Sequence, residues 1–175
     1  MLLTSIFLFK RIKTFVFDID GVLTDGTVIV LSGDQQLRRM NIKDGFALQM
    51  AVLKGYRVLI ISGSNSEPVK ERLAKLGVKE VHMSVHDKKG LLVKLLQDHE
   101  NNWQEVLYMG DDIPDMELMQ IAGISACPSD AVSEIREIAK YISPFPGGGG
   151  CARDVIEKVL RQNDHWHFTT TVASR

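Results

Sequence analysis

The chain has 175 residues, 45% of them hydrophobic and 25% charged, and a net charge of -1. That length and balance suit one folded domain around one core, and the near-zero charge gives no basic field for a polyanion, which excludes nucleic acid as a general partner. The two cysteines, Cys127 and Cys151, lack CxxC spacing and read as ordinary thiols of a reducing compartment, here the cytoplasm.

In chain order, "MLLTSIFLFKRIK" comes first. Its apolar part is far short of the ~20 residues that span a bilayer, and its basic residues follow the apolar stretch, so it reads as a lead-in rather than an export or membrane segment. "TFVF", β-branched and aromatic, is a short buried strand. "TVIVLSGDQQLRRMNI" gives two extended runs about Gly33-Asp34, a hairpin. "KDGFALQMAVLKGY" is a helix with Asp44 as cap and Gly55 as stop. From there strands and helices alternate: "RVLIIS", "EPVKERLAKLG", "VKEVHM", "KKGLLVKLLQDH", "EVLYMG", "PDMELMQIAG", "ISACP" and "AVSEIREIAK". Such alternation implies parallel βαβ units with right-handed crossovers, hence an α/β, doubly wound, three-layer, Rossmann-like sheet. Residues 1–162 read as its single domain and 163–175 as a tail, in which His165 and His167 are surface residues rather than metal ligands.

In doubly wound sheets ligands bind beyond the carboxyl ends of the strands. Those positions hold Asp18 and Asp20, then Ser62, then Asp111 and Asp112, with Lys88 and Lys89 opening a helix. Asp18 and Asp20, at i and i+2, share a face, an electrostatic cost unless a cation or a reaction uses them. Oxygen ligands without His or Cys favour Mg²⁺, which suits Asp18 and Asp111 as direct ligands and leaves Asp20 for proton transfer. A hydroxyl and an ammonium around that ion are what a transferring phosphoryl group needs. Read alone, Ser62 would be a helix cap and Lys88 a solvated helix residue.

"DIDGVLTDG", "ISGSN", "DKKG" and "GDDIPD", in this order, resemble the four motifs of the haloacid dehalogenase-like phosphohydrolases, from about Thr14 to Leu160. The resemblance implies Asp18 as nucleophile and Asp20 as acid/base, with Asp20 also binding metal through its backbone carbonyl. It implies Asp111 as metal ligand, Ser62, Gly63 and Lys88 as phosphate-binding groups, and Asp112 or Asp115 as support. Asp18 and Ser62 lie 44 positions apart and Lys88 and Asp111 only 23, room for a hairpin flap but not for a cap domain. With "PGGGGCARDVIEKVL" the chain is similar to the capless branch that dephosphorylates 3-deoxy-D-manno-octulosonate 8-phosphate. That likeness implies a homotetramer whose neighbouring subunits cover each site, with Gly147–Gly150 and Arg153 reaching the sugar acid phosphate. Relatives acting on nine-carbon sugar acid 9-phosphates share nearly the same motifs, and Ser64 stands where many relatives have a larger polar residue. A phospho-accepting signalling domain uses the same groups, but in another order.

Overall fold

The computed structural model describes residues 9–33, 35–97 and 102–167; most of the lead-in (1–8) and the end of the tail (168–175) lie outside the described residues, as does Asp34 of the hairpin turn. Strands β1 (Thr14–Phe17), β4 (Arg57–Ile61), β5 (Glu80–His82), β6 (Val106–Met109), β7 (Ile124–Cys127) and β8 (Tyr141–Ile142) form one sheet, in the order β5-β4-β1-β6-β7-β8. Every neighbouring pair is parallel. β2 (Ile29–Val30) and β3 (Gln36–Leu37) form the separate antiparallel hairpin. The helices are α1 (Ile42–Leu53), α2 (Glu67–Lys75), α3 (Lys88–Gln97), α4 (Met116–Ile121), α5 (Ser133–Ile138) and α6 (Cys151–Gln162).

Side-chain alternation divides the core into two layers. Phe15, Phe17, Val58 and Ile60 point to one face, where α1, α2 and α6 cover them with Leu48, Leu73 and Val155. Val16, Leu59, Ile61 and Tyr108 point to the other, against Leu92 of α3, Leu118 of α4 and Ile135 of α5. Among the described residues no cap domain interrupts the layers, and only the hairpin and α1 lie between β1 and β4. Phe17 stands level with both Ile60 and Met109, so the chain leaves three central strands at one edge.

Three local expectations change. α1 begins at Asn41, whose side chain accepts from the Lys43 N–H (2.8 Å), so Asp44 is not its cap. Asp44 instead accepts the Arg153 N–H (2.7 Å), capping α6, whose own N-cap is the side-chain-free Gly150. The tail is also not all surface: Trp166 is buried against the first layer, and the Tyr56 hydroxyl and His165 Nδ1 share a hydrogen bond of 2.9 Å. The edge strand β8, which the sequence pattern did not reveal, pairs with β7.

Candidate active site

Asp18 follows β1 directly, and its N–H extends the ladder to the Met109 carbonyl (3.1 Å). Asp111 follows β6, Ser62 follows β4, and Lys88 opens α3. Together with Asp20, Gly63 and Asp115 they line a cavity of about 490 Å³. The residues expected from the four motifs thus meet at one sheet edge. Gly21 makes the approach possible: its φ is +85°, and a Cβ there would lie 1.9 Å from Asp111 Oδ2.

Asp115 organises the floor. Its Oδ1 accepts from Lys88 Nζ (2.7 Å) and the Tyr108 hydroxyl (2.5 Å), and its Oδ2 from the Asp111 N–H (3.1 Å). Lys88 Nζ also forms an ion pair with Asp18 Oδ1 (3.1 Å). Lys89, by contrast, points to Glu117 at the surface. The Ser62 hydroxyl, buried, shares a hydrogen bond with the Ser64 hydroxyl (3.0 Å) and accepts from the Ser64 N–H (3.2 Å). Asp112 is spent on capping the turn before α4, accepting from the Ile113 N–H (2.7 Å).

One oxygen from each of Asp18, Asp111 and Asp115 falls within 4.8 Å of the others. Both Asp115 oxygens are already engaged, whereas Asp18 Oδ1 has only the Lys88 ammonium beside it and Asp111 Oδ1 is buried with no hydrogen-bond donor among the described residues. Such oxygens fit a hard cation, which would supply the missing partner. The electrostatics agree. Burial first, then the Asp115 charge, pushes Asp18 up to about 6 against the pull of Lys88. Burial, then Asp18 and Asp115, pushes Asp111 up to about 7. Burial alone would lower Lys88, but Asp115 and Asp18 outweigh it and hold the ammonium above its ordinary range.

Two expected features stand apart. Gly147–Gly150 packs behind the loop that carries Asp20, with the Gly148 N–H donating to the Val22 carbonyl (3.0 Å). The Arg153 guanidinium lies over the Phe46 and Trp166 rings, 5.9 and 5.5 Å from their centroids, and its Nε faces Glu157 Oε2 (3.3 Å). Neither lines the cavity of its own chain. Sequence reasoning missed Tyr108, which bonds Asp115, His86, which lines the cavity, and Arg38, which bonds Asp20. Tyr108 carried one signal, a hydroxyl in a buried strand, which demands a partner; His86 and Arg38 carried none.

Residues 83–153 match the haloacid dehalogenase-like hydrolase family model, a stretch that includes Lys88, Asp111 and Arg153. The chain is 29% identical to the 3-deoxy-D-manno-octulosonate 8-phosphate phosphatase of Escherichia coli K12 over 86% of this chain and 80% of that one. Its fold is similar to that of the Yersinia pestis phosphatase of the same name, with 27% identity, 91% and 86% coverage and a TM-score of 0.89. It is also similar to the Moraxella catarrhalis enzyme, crystallised with a magnesium ion, a phosphate ion and the sugar acid, with 30% identity, 94% and 95% coverage and a TM-score of 0.90. The chain belongs to this phosphatase family. As a family member it has the doubly wound haloacid dehalogenase-like sheet, with the β2–β3 hairpin beside the catalytic edge and no cap.

Proposed function

We propose that the protein is a Mg²⁺-dependent phosphomonoesterase that hydrolyses 3-deoxy-D-manno-octulosonate 8-phosphate to the sugar acid and phosphate. The carrying observation is the cluster of Asp18, Asp111 and Asp115, one oxygen of each within 4.8 Å of the others, with Lys88 Nζ 3.1 Å from Asp18 Oδ1. Asp18, Asp111 and the Asp20 carbonyl would hold the ion, which supplies charge neutralisation to the phosphoryl oxygens. Asp18 attacks phosphorus, the bond to the sugar oxygen breaks, and Asp20 hands that oxygen a proton. Asp20 then takes a proton from the water that cleaves the aspartyl-phosphate, which restores Asp18 and frees phosphate. Lys88 and the Ser62 hydroxyl, beside Gly63, balance the transferred group's charge.

The same reading takes residues 1–162 as the hydrolase domain and 163–175 as its tail, and places the protein in the cytoplasm. Both cysteines are free and buried, and burial pushes Cys127 up to about 11 and Cys151 higher still, as suits inert thiols of a reducing compartment. No described helix is long and apolar enough to cross a membrane. The working form is a homotetramer. The hairpin exposes Val28, Ile29, Val30, Leu31 and Leu37, an apolar ribbon suited to burial between copies. Arg153, which does not line the cavity of its own chain, would meet substrate across a subunit boundary.

Phosphate release with Mg²⁺ tests the reading, using the eight-carbon substrate beside nine-carbon sugar acid 9-phosphates, with Asp18→Asn as blank. Release that prefers the eight-carbon acid and falls at least ~1,000-fold in the variant is expected. Preference for a nine-carbon acid would overturn the substrate, and Asp18-independent release the mechanism.

A further inference from the structure

Arg38 follows β3 on a hairpin whose other side chains largely face solvent, yet its own side chain is only 4% exposed. Its Nε donates to Asp20 Oδ1 (2.7 Å) and its Nη2 to Asp20 Oδ2 (3.2 Å) and Gln36 Oε1 (3.2 Å). The next residue, Arg39, is exposed and pairs with Asp25 (2.6 Å). A two-pronged guanidinium contact fixes both the plane and the rotamer of a carboxylate, which a single donor cannot do. Among the described residues the only other side chain bonded to Asp20 is Thr24, whose hydroxyl stands 3.5 Å from Oδ1. Arg38 is therefore the main restraint on Asp20.

The arrangement is not one that folding alone favours. Arg38 Nη1 is buried with no acceptor among the described residues, which is unfavourable for a charged donor. An arginine turned outward like Arg39 would avoid it. Nor does Arg38 address the phosphoryl group directly: it does not line the cavity that holds Asp18, Lys88 and Asp111, but a neighbouring one that it shares with Ser64 and Asn65.

We infer that Arg38 is a positioning residue, which makes placement of the hairpin and orientation of the Asp20 carboxylate a single event. The inference deepens the phosphatase reading and rests on it. The seated hairpin brings the fork to Asp20 and aligns it for proton delivery to the leaving sugar oxygen; without the fork Asp20 keeps only the Thr24 contact. A misalignment of about 1 Å at such a group lowers rates by about 100-fold while leaving ground-state binding in place.

The test is a double-mutant cycle of Arg38→Ala and Asp20→Asn, with Arg38→Lys beside it, on 3-deoxy-D-manno-octulosonate 8-phosphate with Mg²⁺. Single turnovers at high enzyme concentration keep the slow Asp20→Asn background measurable, and thermal melting checks folding. Arg38→Ala is expected to lower kcat by about 10- to 100-fold with KM within about threefold, and to have no further effect in the Asp20→Asn background. Arg38→Lys, which keeps the charge but not the fork, recovers little. On p-nitrophenyl phosphate, whose leaving group needs no protonation, the loss in the phosphorylation step is smaller. Equal losses in both backgrounds, an effect confined to KM, or full rescue by lysine would overturn the assignment. A wild type without Asp18-dependent release would bring down the phosphatase reading, and this one with it.

Discussion

Asp44 is a buried carboxylate that does not line the catalytic cavity, and its ionisation is set at the junction of α1 and α6. Burial, opposed by the Arg153 and Gly150 N–H groups and the Arg153 charge, raises it from 3.8 to about 6. An acid that holds its proton more tightly when folded contributes stability that is complete below about pH 4 and lost as pH rises through about 6, in all about 3 kcal/mol. Asparagine retains the Oδ1 acceptor for the Arg153 N–H without ionising. Asp44→Asn should therefore shrink the fall in urea-unfolding free energy between pH 4.5 and 7.5 by about 2 kcal/mol relative to wild type. Asp18 and Asp111 add slopes of the same sign to both proteins and cancel in that difference. Parallel pH curves for the two proteins would mean that Asp44 is ionised across the whole range.

At the scale of elements, the glycine run works as a fitted wedge. A Cβ at Gly147 would lie 2.0 Å from the Gly21 carbonyl oxygen, between backbone and backbone, with no flexible side chain to yield. The Gly147 N–H meanwhile donates to Asp130 Oδ1 (2.9 Å), and Asn41 Nδ2 to the Gly148 carbonyl (3.1 Å). Gly147→Ala must push this segment off the loop that carries Asp20. The expected result is a loss above ~2 kcal/mol in thermal or urea unfolding, together with lower phosphate release. Gly33, at the hairpin tip with φ +70° and open space around it, serves as the contrast. Gly33→Ala should lose only about 1 kcal/mol, the strain of a left-handed alanine, and keep its activity. Equal effects at the two positions would refute the wedge.

For the whole molecule, the open cavity and the apolar hairpin are one problem. A capless site excludes water poorly, and the ribbon whose Ile29 and Val30 are 63% and 72% exposed lies beside it. In the homotetramer proposed above, assembly through that ribbon would bury the apolar surface and cover the site together. Ile29→Glu with Val30→Lys should shift the light-scattering mass from tetramer to monomer, keep the far-ultraviolet circular dichroism, and lower phosphate release about tenfold or more. An unchanged mass would remove the hairpin from the interface.

Much of this protein was legible in its one-dimensional pattern, because strand and helix periods and the residues that end strands are local properties. Alternation of buried strands with helices dictated the doubly wound sheet, and the placement of Asp18, Ser62, Lys88 and Asp111 after or before those elements dictated that they would share an edge. Other features belong to packing between segments far apart in the chain, which no local pattern records. Whether Asp44 caps its own helix or another, whether Arg38 or Arg39 turns inward, and where Arg153 points were decided only when α6 docked on α1 and the hairpin folded back on Asp20. Hydrogen-bond demand in a desolvated junction, not residue type, selects among such alternatives.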